Sequence, residues 1–322
     1  MVTRLGMIGT GWMGDAIAPD AARCEAVDLV AVAGRDPART AAFAAREGIP
    51  HAVPVDELLA RDDVDLVYVA TTHESHLDLA LAALAAGKPV LVEKPLTVDA
   101  AEGERLFAAA RTAGLFAMEA MWMRFNPVVR RLGELLAAGA IGAPRTALAS
   151  FGFPVPVGGR LWDPARAGGS LLDQGVYPLT FADLVLGEPS TIAASGSHRA
   201  PDGTDAGVDT EVAMLLGYPD GAQALLASSI RAQLPLTANV GGTLGRIELD
   251  APFWGTAGLT VHRPDGSSER EQIPLEGNGY VPMLRAVDEA LRSGWTEHPL
   301  CDHATTVRVL RRMDAVRTAL VR

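Results

Sequence analysis

The stretch Arg4-Leu5-Gly6-Met7-Ile8-Gly9-Thr10-Gly11-Trp12-Met13-Gly14 decides the fold. A short apolar run ends in G-x-G-x-x-G, a helical pattern over Gly11–Arg23 follows, and a second apolar run fills Val27–Ala33. That context makes the glycines the first turn of a β-α-β unit that binds a dinucleotide. Gly9 permits the tight turn, Gly11 lets the backbone approach a pyrophosphate, and Gly14 lets helix and strand pack closely. Phosphates are expected at the helix start, where unpaired N–H groups and the dipole favour anions. Thr10, Trp12 and Met13 line that turn.

Outward from this motif, strand and helix patterns alternate through roughly the first 120 residues, the signature of a parallel sheet covered by helices. Helices are predicted over Pro37–Glu47, Val55–Arg61, Glu74–Ala86 and Val98–Thr112, and strands over Leu66–Val69, Pro89–Val92 and Leu115–Met118. The rhythm then changes. After a helix at Pro127–Ala138 and a strand at Arg145–Phe151, a Pro/Gly-rich loop leads to an apolar helical stretch, Gly169–Leu186. Strand patterns follow at Thr191–Ser197, Glu211–Leu216, Gln223–Ile230, Arg246–Leu249 and Leu259–His262, divided by turns such as Pro219-Asp220-Gly221. Helices at Val281–Arg292 and Asp302–Leu320 close the chain. The expected fold class is α/β: an N-terminal doubly wound parallel sheet of the Rossmann type over residues 1–122, then a C-terminal α/β domain with a large, mostly antiparallel open sheet over 123–322, whose last helices pack back on the first domain. Consecutive apolar residues such as Val212–Leu216 predict that both faces of the second sheet are covered, one of them by another copy of the chain, as a homodimer or higher oligomer.

Composition narrows the function. The chain has 322 residues, a net charge of -11 and 48% hydrophobic residues, which suits a two-domain globular protein and disfavours a nucleic-acid partner. Charges interrupt every long apolar run, so no membrane span is expected. Two cysteines, Cys24 and Cys301, make no disulfide framework, and no signal peptide precedes the first strand; a cytoplasmic location follows. Lys88 and Lys94 are the only lysines, every other cation being Arg. Lys can shift its pKa and release a proton where Arg cannot. Lys94 is therefore singled out, and Lys88, in a turn, is taken as chance retention.

The end of the second strand selects the cofactor. An NAD enzyme usually places Asp or Glu there to hold the ribose, but here Gly34-Arg35-Asp36 stands in its place. A missing carboxylate beside a guanidinium suits the 2′-phosphate of NADP, with Arg39 as a second contact and NAD as the alternative. Asp36 runs against this assignment, being able to neutralise Arg35 or to serve a ribose.

Two further segments carry chemistry. Glu93-Lys94-Pro95 follows a strand of the first domain, at the carboxyl edge where ligands of such sheets bind. Gly168-Gly169-Ser170-Leu171-Leu172-Asp173-Gln174-Gly175-Val176-Tyr177 places Asp173 and Tyr177 four apart, on one face of a helix. With these motifs, with Ala70-Thr71-Thr72-His73 and His76, and with Glu119-Ala120-Met121-Trp122-Met123-Arg124-Phe125 and Pro252-Phe253-Trp254, the chain resembles the Gfo/Idh/MocA oxidoreductases over nearly its whole length. It is most similar to their dihydrodiol dehydrogenase, NADP xylose dehydrogenase and 1,5-anhydrofructose reductase branch. Many members of the family carry His where this chain has Tyr177, and the family often has Pro at Thr72 and Gly at Ser170.

The resemblance implies Lys94 and Tyr177 at the reacting centre with Asp173 nearby, a cis Lys94–Pro95 bond, and frequent dimers through the second sheet. Reducing a carbonyl with hydride creates an alkoxide that needs a proton or cation within reach. Tyr177 then serves as acid in reduction and base in oxidation. Lys94 orients the substrate oxygen and tunes the phenol, or the two exchange roles; Asp173 holds a substrate hydroxyl or Lys94. Thr71, Thr72, His73, His76 and Glu93 join the cofactor side, His76 chiefly as support for the loop. With no carboxylate or Cys cluster beside the two histidines, no metal is expected. Trp122, Arg124 and Phe125, at the domain junction, and Trp254, added by the branch resemblance, suit a polyhydroxylated ring. The resulting expectation is an NADP(H)-dependent oxidoreductase of sugars or cyclic diols. Its alternatives are a 3-keto-deoxysugar reductase of a biosynthetic pathway and a non-catalytic NADP-binding regulator.

Overall fold

Strand β1 (Thr3–Ile8) supplies the apolar centre of the first sheet, with Leu5 and Met7 fully buried. The computed structural model describes residues 2–200, 202–204 and 207–320. Around β1 come α1 (Trp12–Arg23), β2 (Val27–Ala33), α2 (Pro37–Glu47), β3 (His51–Val53), α3 (Val55–Ala60), β4 (Leu66–Val69), α4 (His76–Ala85), β5 (Val90–Val92), α5 (Ala100–Ala113) and β6 (Ala117–Glu119). The six strands pair in parallel in the order β3-β2-β1-β4-β5-β6. This is the dinucleotide-binding order, with the strand sequence reversing beside β1. Local chemistry sets the helix ends. Asp36 and Asp99 cap α2 and α5 through the amides of Ala38, Arg39 and Glu102, and Gly48 and Gly114 end those helices in the left-handed conformation.

The second sheet follows α6 (Pro127–Ala137). It comprises β7 (Pro144–Gly152), then, after α7 (Val176–Leu186), β8 (Thr191–Arg199), β9 (Val208–Gly217), β10 (Gln223–Ser229), β11 (Ala238–Gly242), β12 (Gly245–Leu249), β13 (Gly258–His262) and β14 (Ser268–Gln272). The order is β14-β13-β12-β11-β7-β10-β9-β8, antiparallel except for the β7–β10 pair. Helix α7 packs on β7, β10 and β11. The side chains of Leu148, Leu225 and Leu215, in register across β7, β10 and β9, remain 38%, 46% and 46% exposed. The expected α/β architecture with a mostly antiparallel second sheet is present.

Helices α8 (Val281–Arg292) and α9 (His303–Leu320) complete the chain. One compact unit is Met1–Phe125 with Glu276–Val307, the other Asn126–Leu275 with Arg308–Arg322. Within the first unit, buried Asp20 of α1 accepts the amides of Asn278 (2.7 Å) and Tyr280 (2.8 Å), and Thr3 Oγ1 donates to Asp288 Oδ1 at 2.7 Å. His303 lies flat on Phe107, 3.9 Å between ring centres, and its Nε2 meets Ala117 O at 2.9 Å. Within the second, Asp183 of α7 accepts Arg308 at 2.8 Å and pairs with Arg312 at 2.8 Å.

Several elements differ from the sequence reading. Strands β3, β11 and β14 lack the apolar alternation that marks a strand: β3 has three residues, β11 carries Gly241 and Gly242, and β14 is the charged edge Ser-Glu-Arg-Glu-Gln. The helix expected over Glu74–Ala86 divides into a 3-10 turn, His73–Ser75, and α4. The helix expected over Gly169–Leu186 opens with a π turn, Leu171–Gly175, before α7. Lys88, taken as chance, donates its ammonium to Arg61 O (2.7 Å) and Val64 O (2.9 Å), a use of several donors on one compact head.

Candidate active site

One group of candidate residues lies in the first unit, at the carboxyl ends of its strands. Gly9 has φ 126°, and a Cβ there would stand 2.4 Å from Ala70 O, so only glycine fits between the ends of β1 and β4. Gly11 caps α1 without any side-chain hydrogen bond, and a Cβ on it would meet nothing within 4 Å. Open space in front of uncapped amides is the cradle a pyrophosphate requires. Trp12 beside it is 75% exposed. At the end of β2, a Cβ on Gly34 would lie 2.5 Å from Thr40 Oγ1, so any side chain there would require that hydroxyl to shift. Asp36 caps α2, its Oδ1 accepting from Ala38 N (3.0 Å) and Arg39 N (3.2 Å). Arg35 is exposed, and Arg39 Nη2 reaches Thr10 O at 2.8 Å.

Beyond β5 the Lys94-Pro95-Leu96 backbone is held at three points. Lys94 N donates to Glu93 Oε2 at 3.1 Å, Leu96 N donates to Glu119 Oε1 at 2.9 Å, and Pro95 O faces His76 Nδ1 at 3.0 Å. The Lys94–Pro95 bond is cis. His76 is fully buried, and its Nε2 faces Thr71 O at 3.3 Å. Burial holds this imidazole below its usual range, so one nitrogen carries the proton while both neighbours are carbonyls. The shorter contact favours donation to Pro95 O. His73, also buried, meets His76 edge-on at 5.8 Å between rings. Thr71 Oγ1 accepts from Ser75, and Thr72 Oγ1 donates to Glu74.

Glu93 points inward. Tyr68 of β4 donates to its Oε1, and burial pushes the carboxyl up to about 7 against the opposing pull of that hydrogen bond and of Lys94. Burial also raises Glu119, opposed by the Leu96 amide, Arg124 and Lys94. Trp122, Arg124 and Phe125 are all buried; Trp122 packs on Tyr280 at 4.8 Å and Phe125 on His298 at 5.1 Å. Among the described residues no group of three His, Cys, Asp or Glu is gathered for a metal ion.

A second group of candidate residues lies in the other unit. Tyr177, on the first turn of α7, is 4% exposed and packed against both Phe151 (5.4 Å) and Trp254 (5.7 Å), which stack on each other at 3.6 Å. Asp173, in the π turn, accepts from Arg160 Nη2 at 2.8 Å. Buried Asp209 of β9 accepts from Ser170 Oγ (3.0 Å) and Leu171 N (2.6 Å), fixing the start of that turn; burial raises its carboxyl. Lys94 belongs to the first unit and Tyr177 to the second. Glu93, Lys94, Glu119 and Arg124 form one electrostatic cluster, and Tyr177 and Trp254 one aromatic cluster.

Residues 3–121 match the family model described as "Oxidoreductase family, NAD-binding Rossmann fold", and residues 129–248 match the "GFO/IDH/MocA C-terminal domain". The chain belongs to the Gfo/Idh/MocA family. It is 39% identical over 306 residues to the trans-1,2-dihydrobenzene-1,2-diol dehydrogenase of Oryctolagus cuniculus, covering 91% of this chain and 90% of that protein. The 3-ketoreductase of Actinomadura kijaniata, solved with NADP and TDP-benzene, has a TM-score of 0.88 at 33% identity, covering 99% of this chain and 98% of that one. The aldose-aldose oxidoreductase of Caulobacter crescentus, solved with glycerol, has a TM-score of 0.89 at 27% identity, covering 99% and 97%. As an oxidoreductase of this family the chain carries a dinucleotide-binding Rossmann domain.

Sequence reasoning missed Tyr68, Asp209, Arg160 and Tyr280. The only signals available were a phenol and a carboxylate inside apolar strand patterns; the arginine sat in a loop and Tyr280 next to a glycine turn.

The Glu93 environment generates a testable pH dependence. Its folded value lies above the ordinary 4.5, so its contribution to stability is complete below that value and is lost as pH rises through about 7. Glu93→Gln is neutral at every pH; its carbonyl can accept Lys94 N–H while its amide donates to Tyr68. Thermal melts between about pH 5 and about pH 8 are expected to fall less for this variant than for the wild type. Parallel curves would mean that Glu93 does not hold the proton.

Proposed function

We propose that the protein is an NADP(H)-dependent dehydrogenase or reductase that moves a hydride between the nicotinamide and a hydroxyl-bearing or carbonyl carbon of a sugar or cyclic diol. The observation that carries this reading is the three-point clamp on Lys94, in the same unit as an uncapped, glycine-lined α1. The Gly9–Gly14 turn and the loop Thr71–His73 hold the dinucleotide, and Arg35 and Arg39 meet the 2′-phosphate. The bound nicotinamide supplies or takes up the hydride.

The protein's own residues handle the proton and the substrate. Tyr177 Oη gives a proton to the substrate oxygen in reduction and takes it back in oxidation. The Lys94 ammonium steers that oxygen and stabilises its developing charge. Glu93 and His76 are positioning residues for Lys94. Trp254, Phe151 and the ring of Tyr177 offer an apolar wall to a sugar or diol ring, and Trp122, Arg124 and Phe125 are further substrate-side candidates. The dihydrodiol dehydrogenases and the aldose oxidoreductase among its relatives favour a neutral polyhydroxylated substrate. A second reading, reduction of a nucleotide-linked 3-keto sugar, is favoured by the fit to the 3-ketoreductase. The two free cysteines, both buried, fit a reducing cytoplasm. No helix among the described residues is long and apolar enough to cross a membrane. A second copy of the chain covers the face bearing Leu148, Leu215 and Leu225, because an apolar patch of this extent is rarely left to water.

Three measurements test this reading. NADPH oxidation and NADP reduction across a panel of aldoses, ketoses, vicinal diols and a TDP-linked 3-keto sugar should reveal turnover, and Lys94→Met should lower kcat by about 100-fold or more; near-normal turnover in the variant refutes the scheme. Arg35→Ala should raise KM for NADP about tenfold while leaving NAD nearly unchanged; equal effects would sink the NADP assignment. Sedimentation at micromolar concentration should give a dimer or larger species that Leu225→Arg drives towards monomer, and a strictly monomeric wild type would exclude the association.

A further inference from the structure

Arg160 lies in the 3-10 turn Arg160–Trp162, in the connection from β7 to the π turn that precedes α7. Its guanidinium donates to Asp173 at 2.8 Å, with the two side chains 38% and 15% exposed, so solvent and small molecules reach the pair. Most half-exposed ion pairs contribute little, because a long side chain on a mobile loop loses freedom on pairing. The backbone that carries Arg160 is not of that kind.

Leu161 and Trp162, directly after it, are buried with Val208 and Ile230. Gly169 N donates to Leu161 O at 2.9 Å. Gly168 runs so close that a Cβ on it would lie 2.7 Å from Leu161 O and 2.8 Å from Arg160 O. A Cβ on Gly169 would in turn stand 2.3 Å from Asp209 Oδ1, and the same carboxylate receives Ser170 and Leu171. The turn bearing Arg160 and the turn bearing Asp173 are therefore fastened to one another through the two glycines, and both to β9. Such preorganisation places a planar fork of N–H donors beside a carboxylate, four residues before Tyr177.

We propose that Arg160 is a substrate-specificity residue: with Asp173 it forms a donor–acceptor pair that grips two neighbouring hydroxyls of an uncharged sugar or diol. One hydroxyl donates to the Asp173 carboxylate and the adjacent hydroxyl oxygen accepts from the Arg160 guanidinium, each a charge-assisted hydrogen bond. Arg160 also sets the direction of Asp173. The inference deepens the oxidoreductase reading above and rests on it.

The test uses D-xylose, D-glucose and trans-cyclohexane-1,2-diol as probes. Steady-state kinetics with NADP are compared with calorimetric titration of trans-cyclohexane-1,2-diol into enzyme saturated with NADPH, a pairing with no carbonyl to reduce. Arg160→Met is expected to raise KM and the calorimetric Kd about tenfold, with NADPH affinity and melting temperature unchanged. Asp173→Asn alone and combined with Arg160→Met should show strong coupling, the double variant losing little more than the weaker single one. Arg160→Lys, which keeps the charge but loses the fork, should recover only part of the affinity. Unchanged probe binding in Arg160→Met, additive losses in the double variant, or a parallel fall in melting temperature and NADPH affinity would overturn the inference. Wild-type enzyme that neither turns over nor binds any of the probes would overturn the sugar and diol reading itself.

Discussion

A lysine can serve a reacting centre only if its backbone cannot wander, and the segment Lys94-Pro95-Leu96 is fixed by groups that have left water to do it. Glu93 and Glu119 each direct a buried carboxylate oxygen at one amide of the segment, and His76 faces the carbonyl between them. Each such hydrogen bond is worth about 0.5–1.5 kcal/mol net, and the desolvation of two buried carboxyl groups opposes that gain. The arrangement is costly in stability and is repaid in position. It also draws the ends of β4, β5 and β6 into one rigid edge, since Tyr68, Thr71, Glu93 and Glu119 come from those strands or the turns after them.

The other unit solves a related problem by different means. A helix that must present Tyr177 begins with a π turn, and its start is held by Asp209 of β9 through Ser170 and Leu171. π turns recur at functional sites because they redirect side chains without ending the helix. Here the turn aims Asp173 at Arg160 while Tyr177 remains packed against Phe151 and Trp254. In both units a buried carboxylate organises backbone amides beside a residue of the proposed chemistry.

Much of this was legible in the sequence because it depends on short-range rules. Gly9 to Gly14 and the alternation of apolar runs act within a turn or a strand. The motif residues Lys94, Asp173 and Tyr177 stood out by type and spacing. What escaped is what depends on distant partners. Nothing local announces that Asp20 receives amides from residues 278 and 280, that Glu93 turns inward to Tyr68, or that Arg160 meets Asp173 across a glycine pair. Strands β11 and β14 escaped because ladder hydrogen bonds made by the backbone hold them in place despite glycine and charged side chains. Nothing local announces either that Trp122 and Phe125 pack their rings on Tyr280 and His298, aromatic neighbours from far along the chain.

The dinucleotide unit takes its last pieces from residues 276–307, and the bond from Thr3 to Asp288 spans 285 positions. During synthesis the nascent chain emerges with β1 to β6 long before α8 exists to cover them. The sheet therefore waits, unfinished, while the whole second unit passes through the ribosome. Ring closure over so long a span costs little more than over a short one, but the delay leaves apolar surface uncovered for the time of translation. The first unit therefore cannot be finished before residues 276–307 are made, and a chain stopped ahead of α8 would leave it open.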